Sequence, residues 1–336
     1  MINPMLMSPW LRRFLLEHLT EMRNLSLNTQ HSYRDTFRLL LPFLARLTKK
    51  SMDQFVIDDL SVDRIKAFLA DLEQSRHCAI STRNQRLASI RSFARFVGQS
   101  SPEHLLWCSQ IRALPFKKAP HSIITYLEKA EMDALLDTAL GATLQHHREH
   151  ALLLFLYNTG ARADEAAQVT INDLTLAHVP KRDYSSVIIR GKGNKRRCCP
   201  LWPQTVREII PLVHGRAPTE HIFLNRCGQP ITRFGIHTLV ERTALKGSAQ
   251  MPSLKLKRVS PHTLRHTAAT HLLRAGVDIN TIRAWLGHVS INTTNIYAEI
   301  DLEMKAKALA LCQVEKSKNK VHWRDKPSLM EFLQAL

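Results

Sequence analysis

The chain has no pair of cysteines at CxxC spacing: its six cysteines, Cys78, Cys108, Cys198, Cys199, Cys227 and Cys312, stand apart except for one adjacent pair. That excludes a secreted disulfide framework, and neighbouring Cys198 and Cys199 are badly placed to bond each other or to form half of a zinc site. The thiols read as reduced, as in the cytoplasm. A signal peptide is missing too, because Arg12, Arg13 and Glu17 interrupt the N-terminal apolar residues. No stretch approaches the roughly 18 apolar residues that a membrane span needs. There is no internal repeat and no low-complexity tract. Acidic residues are scarce, 29 against 47 Lys and Arg, which leaves a net charge of +18. Such an excess points to a polyanionic partner, most simply nucleic acid, against the plainer alternative of a merely soluble basic surface.

At 336 residues, 44% of them hydrophobic, the chain has material for two domains with packed cores. The first hundred residues read as short helices. Over Thr29 to Leu47, the residues Tyr33, Phe37, Leu40, Leu41 and Leu44 form one apolar stripe. Ser61 is placed to cap a second helix carrying Val62, Ile65, Phe68, Leu69 and Leu72. Ser81 is expected to open a third, with Leu87, Ile90, Phe93 and Val97 inside and Arg83, Arg86, Arg91 and Arg95 on its other surface. Those arginines suit a solvated face or a DNA backbone. Over 101–122 the periodicity breaks; Pro102, Pro115 and Pro120, with Lys117 and Lys118, predict an extended basic linker.

Beyond it, Ala151 to Tyr157 is apolar enough for a buried helix, with Gly160 suited to the left-handed position that ends it. Ser185 to Leu201 predicts a β-hairpin, turning at Gly191-Lys192-Gly193-Asn194. Lys181, Arg182, Arg190, Lys192, Lys195, Arg196 and Arg197 cluster around it against one Asp183, as suits a strand following phosphates. After Ser260 the chain returns to helices. A basic stretch (Lys316, Lys318, Lys320, Arg324) and a short periodic end close it.

Ser260 and Pro261 form a helix start, which places His262 in the first turn and Arg265 three residues on, along the same face. A helix N-terminus attracts phosphate, and a guanidinium grips two of its oxygens. His262 and His266 at i and i+4 also have zinc-ligand spacing, but Thr263 stands where HExxH carries Glu. Arg162 follows a glycine turn and precedes Glu165 by one helical turn; a local surface ion pair would look the same. Lys192 alone is an ordinary turn lysine. Asp278 caps a helix over Ile279 to Leu286 that Gly287 ends, which puts His288 in the following turn. Tyr297 lies nine residues further on, among apolar neighbours, Ile291, Ile296 and Ala298, where a tyrosine is more often a core residue than a nucleophile.

Taken together, Arg162, Lys192, His262-x-x-Arg265, Leu286-Gly287-His288 and Tyr297 resemble the tyrosine recombinases of the phage-integrase family, of Xer, Cre and lambda-integrase type. Leu27-Asn28-Thr29 with Tyr33, and Ser81 to Asn84, resemble that family's core-binding domain. The resemblance covers roughly residues 8 to 312. It implies a mainly α fold with a small β-hairpin or sheet: a helical, SAM-like core-binding domain over 8–105, a basic linker over 106–124, a mixed α/β DNA breaking-rejoining domain over 125–312 and a tail over 313–336. It implies that Tyr297 attacks a phosphodiester of duplex DNA, forming a 3′-phosphotyrosyl link without metal, ATP or other cofactor. Arg162 and Arg265 would clamp the phosphate, Lys192 protonate the leaving 5′-oxygen, His262 assist proton removal, His288 bond a phosphate oxygen and Glu165 buttress the site. DNA contacts are expected from Arg83, Arg86, Arg91, Arg95, Lys117, Lys118, Lys195, Arg196 and Arg197. Partners would be paired recombination sites, a homo-tetramer and accessory proteins, in a bacterial cytoplasm at the nucleoid, with a mobile element the favoured biological setting. A type IB topoisomerase and a catalytically silent DNA-binding accessory protein are the alternatives. Ala161, Ala163 and Ala166-Ala167 depart from the bulkier family pattern, and Thr170 to Ser185 is a long connection.

Overall fold

The computed structural model describes residues 6–119, 124–177, 184–191, 193, 195–287 and 333. The chain divides into two compact units, Met1–Ser122 and Ile123–Leu336.

The first unit is helical. Helix α1 (Met7–Arg13) runs straight into a π-helical stretch, Phe14–Met22, and α2 (Leu27–Thr48), α3 (Val62–Gln74), α4 (Ile80–Ser100) and α5 (Leu105–Ala113) follow. Of the expected stripe on α2, Phe37, Leu40 and Leu44 are buried, and Tyr33 and Leu41 pack against them. Ser61 caps α3 as expected, accepting the Arg64 N–H at 3.4 Å. Two expectations need correction. The helices are not short, since α2 has 22 residues and α4 has 21. Nor does Ser81 open α4: the helix starts at Ile80, and the Arg83 N–H already bonds to the Ala79 carbonyl at 3.0 Å.

The larger correction concerns the linker, which is not extended throughout. Pro102–His104 is a 3₁₀ turn with proline at its start, where a missing N–H is no loss, and it leads into α5. Trp107, Cys108 and Ile111 of α5 are buried in the same core as α2, α3 and α4. The Trp107 indole donates to the Leu60 carbonyl at 2.9 Å, and its ring meets Phe93 edge-on at 6.4 Å. Prolines at both ends hide an amphipathic helix whose apolar residues find their partners only in the folded unit.

In the second unit, α6 (Lys129–Thr138), α7 (Leu144–Thr159) and α8 (Ala163–Gln168) precede the strands. Strands β1 (Leu174–Thr175), β2 (Ser186–Arg190) and β3 (Arg196–Pro200) follow, then α9 (Pro203–Val213), α10 (Arg233–Gly247), α11 (Pro261–Arg274) and α12 (Ile279–Leu286). Helix α7 is the axis. Every residue from Glu149 to Thr159 is buried, as expected of a helix that is apolar nearly all round and surrounded by others. The hairpin holds with Val187 opposite Cys199 and Ile189 opposite Arg197, but a third strand, β1, pairs antiparallel with β2 and makes a three-stranded sheet. Among the described residues no helix is long and apolar enough to cross a membrane.

Burial of Trp107 predicts that Trp107→Ala destabilises the protein by about 3–5 kcal/mol, as for a large aromatic removed from a core. Chemical denaturation checks this. A loss below about 1 kcal/mol would show that α5 is a surface linker after all.

Candidate active site

Site geometry starts at Arg265. Ser260 accepts the Thr263 N–H at 3.3 Å and Pro261 takes the first helical position, so α11 starts where the local chemistry directs. Arg265 then points inward and is only 1% exposed. One terminal nitrogen donates to the Gly160 carbonyl and the other to the Leu286 carbonyl, both at 2.6 Å. These are carbonyls at the C-terminal ends of α7 and α12, where backbone acceptors lack helical partners and the helix dipole is negative. A buried guanidinium thus joins three helices. Gly160 has φ of +59°, and a side chain there would put its Cβ 2.5 Å from a Leu286 methyl. Both backbone sign and space require glycine at this place.

Glu165 forms the second layer. It is buried, and Oε1 accepts the Arg162 guanidinium at 2.7 Å while Oε2 accepts the Arg162 N–H at 3.0 Å. Oε2 also accepts Arg197 at 2.7 Å. Burial opposes the charged carboxylate, but the hydrogen bond and charge of Arg197, followed by the bonds from Arg162, outweigh it and hold the pKa below its ordinary value. One carboxylate therefore lies between two guanidiniums. The arrangement keeps a net positive charge.

His262, in the first turn of α11, is exposed to solvent, though its ring is packed on one side. Desolvation first, then the charges of Arg265 and Arg162, lower its pKa from 6.5, so it is neutral at pH 7. Its ring meets that of His266 edge-on, with centroids 4.6 Å apart. His266 is pushed down further, to about 4, by burial, His262 and Arg265. Among the described residues no three His, Cys, Asp or Glu side chains group as metal ligands would.

Of the expected catalytic residues, Arg162, His262, Arg265 and Glu165 come together. Lys192, His288 and Tyr297 lie outside the described residues. The helix leading to His288 is as expected: Asp278 accepts the Asn280 and Thr281 N–H groups at 2.9 and 3.1 Å, and Gly287 ends α12 at φ +66°.

The residues expected at a DNA backbone fare unevenly. Arg95, Lys118, Lys195 and Arg196 are exposed. Lys117 pairs with Glu73 at 2.6 Å, and Arg91 lies 4.7 Å over the Phe116 ring. Arg83 turns toward Glu73 and the Pro115 carbonyl, and Arg86 donates to the Ser32 carbonyl and the Thr36 hydroxyl. These two hold the first unit together instead of lining a solvated face. Arg197 is the clearest correction. Its side chain is 9% exposed and is spent on Glu165, because it shares the inward face of β3 with buried Cys199. Also missed was Asn158, which accepts the Trp202 N–H, donates to the Pro200 carbonyl and offers its own carbonyl to the Trp285 indole. A polar residue inside the apolar run of α7 was its signal.

A buried carboxylate between two guanidiniums, a further buried guanidinium and a neutral imidazole make a centre suited to a phosphate-like anion. The chain matches the phage integrase family over residues 125–304 and the N-terminal SAM-like domain of phage integrases over residues 12–99. It is 35% identical to the integrase/recombinase y4rC of Sinorhizobium fredii, across 98% of both chains. It is 30% identical to the tyrosine recombinase XerC of Lacticaseibacillus casei, across 73% of this chain and 79% of that one. In fold it resembles the Tn1549 transposon integrase solved with circular intermediate DNA, with a TM-score of 0.69 at 16% identity over 92% of this chain and 100% of that one. XerH recombinase bound to its difH substrate gives 0.62 at 19% identity over 89% and 84%. The chain belongs to the phage integrase family and is a tyrosine site-specific recombinase.

The shift at Glu165 has a testable sign. Its folded pKa lies below the ordinary 4.5, so its contribution to stability is present above that value and is lost as pH falls through the folded pKa. Glu165→Gln should therefore lower the melting temperature most at neutral pH, with the gap to wild type closing on acidification below pH about 4. A gap that is constant with pH would rule out the charged carboxylate as its source.

Proposed function

We propose that this chain cuts and rejoins duplex DNA through a covalent link to Tyr297, with no metal and no ATP. The observation that carries the proposal is the positive centre at Arg265 and Arg162, set beside an imidazole that burial and those same charges keep neutral. A phosphodiester carries one negative charge, and its attack by an oxygen nucleophile puts a second on the equatorial oxygens. Buried Arg265, with half-exposed Arg162 held by Glu165 at its edge, opposes that charge with little reorganisation.

In this reading the Tyr297 phenol oxygen bonds to phosphorus, and the bond to the 5′-oxygen breaks. Neutral His262 accepts the phenol proton; Lys192 gives a proton to the departing 5′-oxygen; His288 bonds a non-bridging oxygen. Positioned proton transfers of this kind are each worth about 10²–10⁴-fold. Because the phosphotyrosyl link conserves the energy of the phosphodiester, a partner strand's 5′-hydroxyl reverses the step and closes the new junction.

The exposed cations Arg95, Lys118, Lys195 and Arg196 are proposed as backbone contacts, which position a duplex without reading its sequence. We further propose the working domains as residues 8–105 and 125–312, paired DNA sites with a tetramer of this chain on them, and accessory proteins where the sites need bending. A mobile element in a bacterial cytoplasm is the setting this supports: the lambda integrase of similar fold was solved as a tetramer on a Holliday junction, and the Tn1549 enzyme belongs to a transposon.

Random-sequence duplexes incubated with the protein, followed by sequencing of strands that resist detachment under denaturing conditions, identify the cleaved site. On a nicked duplex carrying that site, wild type should accumulate a covalent adduct. Tyr297→Phe should bind equally and form none; an adduct from that variant would remove Tyr297 as nucleophile. The acid limb of cleavage should also be centred below pH 6.5, because His262 titrates below its ordinary value. An acid limb centred above 6.5 would exclude neutral His262 as the base.

A further inference from the structure

Arg197 presents a physical problem that the proposed chemistry does not solve. Side chains on a strand alternate between faces, so exposed Cys198 and Arg196 point outward while Arg197 points in with buried Cys199. A buried ion pair seldom stabilises a protein over apolar residues of the same shape, because desolvation of the two charges offsets their attraction. The Arg197–Glu165 pair, with side chains 9% and 5% exposed at 2.7 Å, is such a pair.

Its surroundings show what it can do. Glu165 holds Arg162 through both carboxylate oxygens, once at the guanidinium and once at the backbone. Among the described residues, no other side chain of β3 bonds Oε2, so without Arg197 the carboxylate's remaining ion pair there would be with Arg162. Arg197 also underlies two chain segments. A methyl group on Gly191 would lie 3.3 Å from Glu165 Oε1 and 3.6 Å from Arg197 Nη1, and one on Gly287 would lie 3.3 Å from both Cδ and Nη1 of Arg197. Gly191 immediately precedes Lys192, and Gly287 immediately precedes His288.

We infer that Arg197 is a positioning residue for strand cleavage: through Glu165 it sets the place of the Arg162 guanidinium, and it lies beside Gly191 and Gly287, whose next residues in the chain are Lys192 and His288. It touches no reacting atom. This rests on the phosphotyrosine reading above.

The test uses the full chain and the nicked duplex found by covalent capture, in two forms. One carries the ordinary scissile phosphodiester; the other carries a methylphosphonate, in which one charged oxygen is replaced by a neutral methyl group. Arg197→Met keeps the length of the side chain and removes its charge. With DNA affinity within about twofold of wild type, its single-turnover cleavage of the phosphodiester should fall about 100-fold, the scale of a misplaced reacting group. On the methylphosphonate, where less charge needs opposing, the deficit should shrink at least tenfold. A merely structural loss would lower both rates alike, and equal deficits, or wild-type cleavage by Arg197→Met, would overturn the inference. Where Arg197→Met does not fold, Arg197→Lys carries the same comparison: it keeps the charge without the fork and should fall between the two. Failure of the wild type to capture any duplex covalently would overturn the phosphotyrosine reading itself, a result distinct from a wild-type adduct with an unimpaired Arg197 variant.

Discussion

Arg265 is a full charge placed where water hardly reaches. Moving an unpaired guanidinium into a protein interior would cost several kcal/mol. Here the charge is offset by the carbonyls of Gly160 and Leu286, at helix ends where acceptors and negative dipole already wait. Three helices must therefore end or begin within reach of one side chain. The left-handed turn at Gly160, the Leu286 methyl packed where a Cβ would sit, and the C-terminal glycine of α12 all follow from that constraint. A lysine could satisfy one carbonyl as a point charge, but not two acceptors on separate helices with the geometry of a planar fork.

Around that centre the charges are graded. Arg162 and Arg197 flank one buried carboxylate, so the second layer keeps one positive charge while gaining order. The order comes from bonding both oxygens of Glu165, to Arg162 through Oε1 and to Arg197 and the Arg162 backbone through Oε2. Arg197 and Glu165 pair directly at 2.7 Å with both side chains largely out of water.

Features governed by neighbours in the chain were legible in the sequence. Ser61, Ser260 and Asp278 cap helices because a hydroxyl or carboxylate reaches an N–H two or three residues on, and Gly160 and Gly287 end helices because few other residues tolerate positive φ. Arg162, Glu165, His262 and Arg265 were legible through their spacing and family resemblance. Features governed by distant partners were not. Helix α5 hid behind Pro102 and Pro115, since the residues that cover Trp107 lie far back in the chain. Arg197 looked like one more cation on a basic hairpin; a single β-register step separates an exposed Arg196 from a buried one. Arg86 was misread for the same reason, because its acceptors, Ser32 and Thr36, belong to another helix.

One electrostatic field then serves several ends in the proposed chemistry. The charges of Arg265 and Arg162 disfavour protonated His262 and so keep it able to accept a proton at pH 7. The same charges favour any anion brought among them. A phosphate is held, the charge of a pentacoordinate phosphorus is opposed, and a phenol entering the field loses its proton more readily than in water, where its pKa is about 10. A base that must stay neutral and a nucleophile that must become charged thus make the same demand on their surroundings. Such a field is strong only while water is kept away. That condition explains why the centre is assembled on a guanidinium buried among helix ends instead of on lysines at the surface.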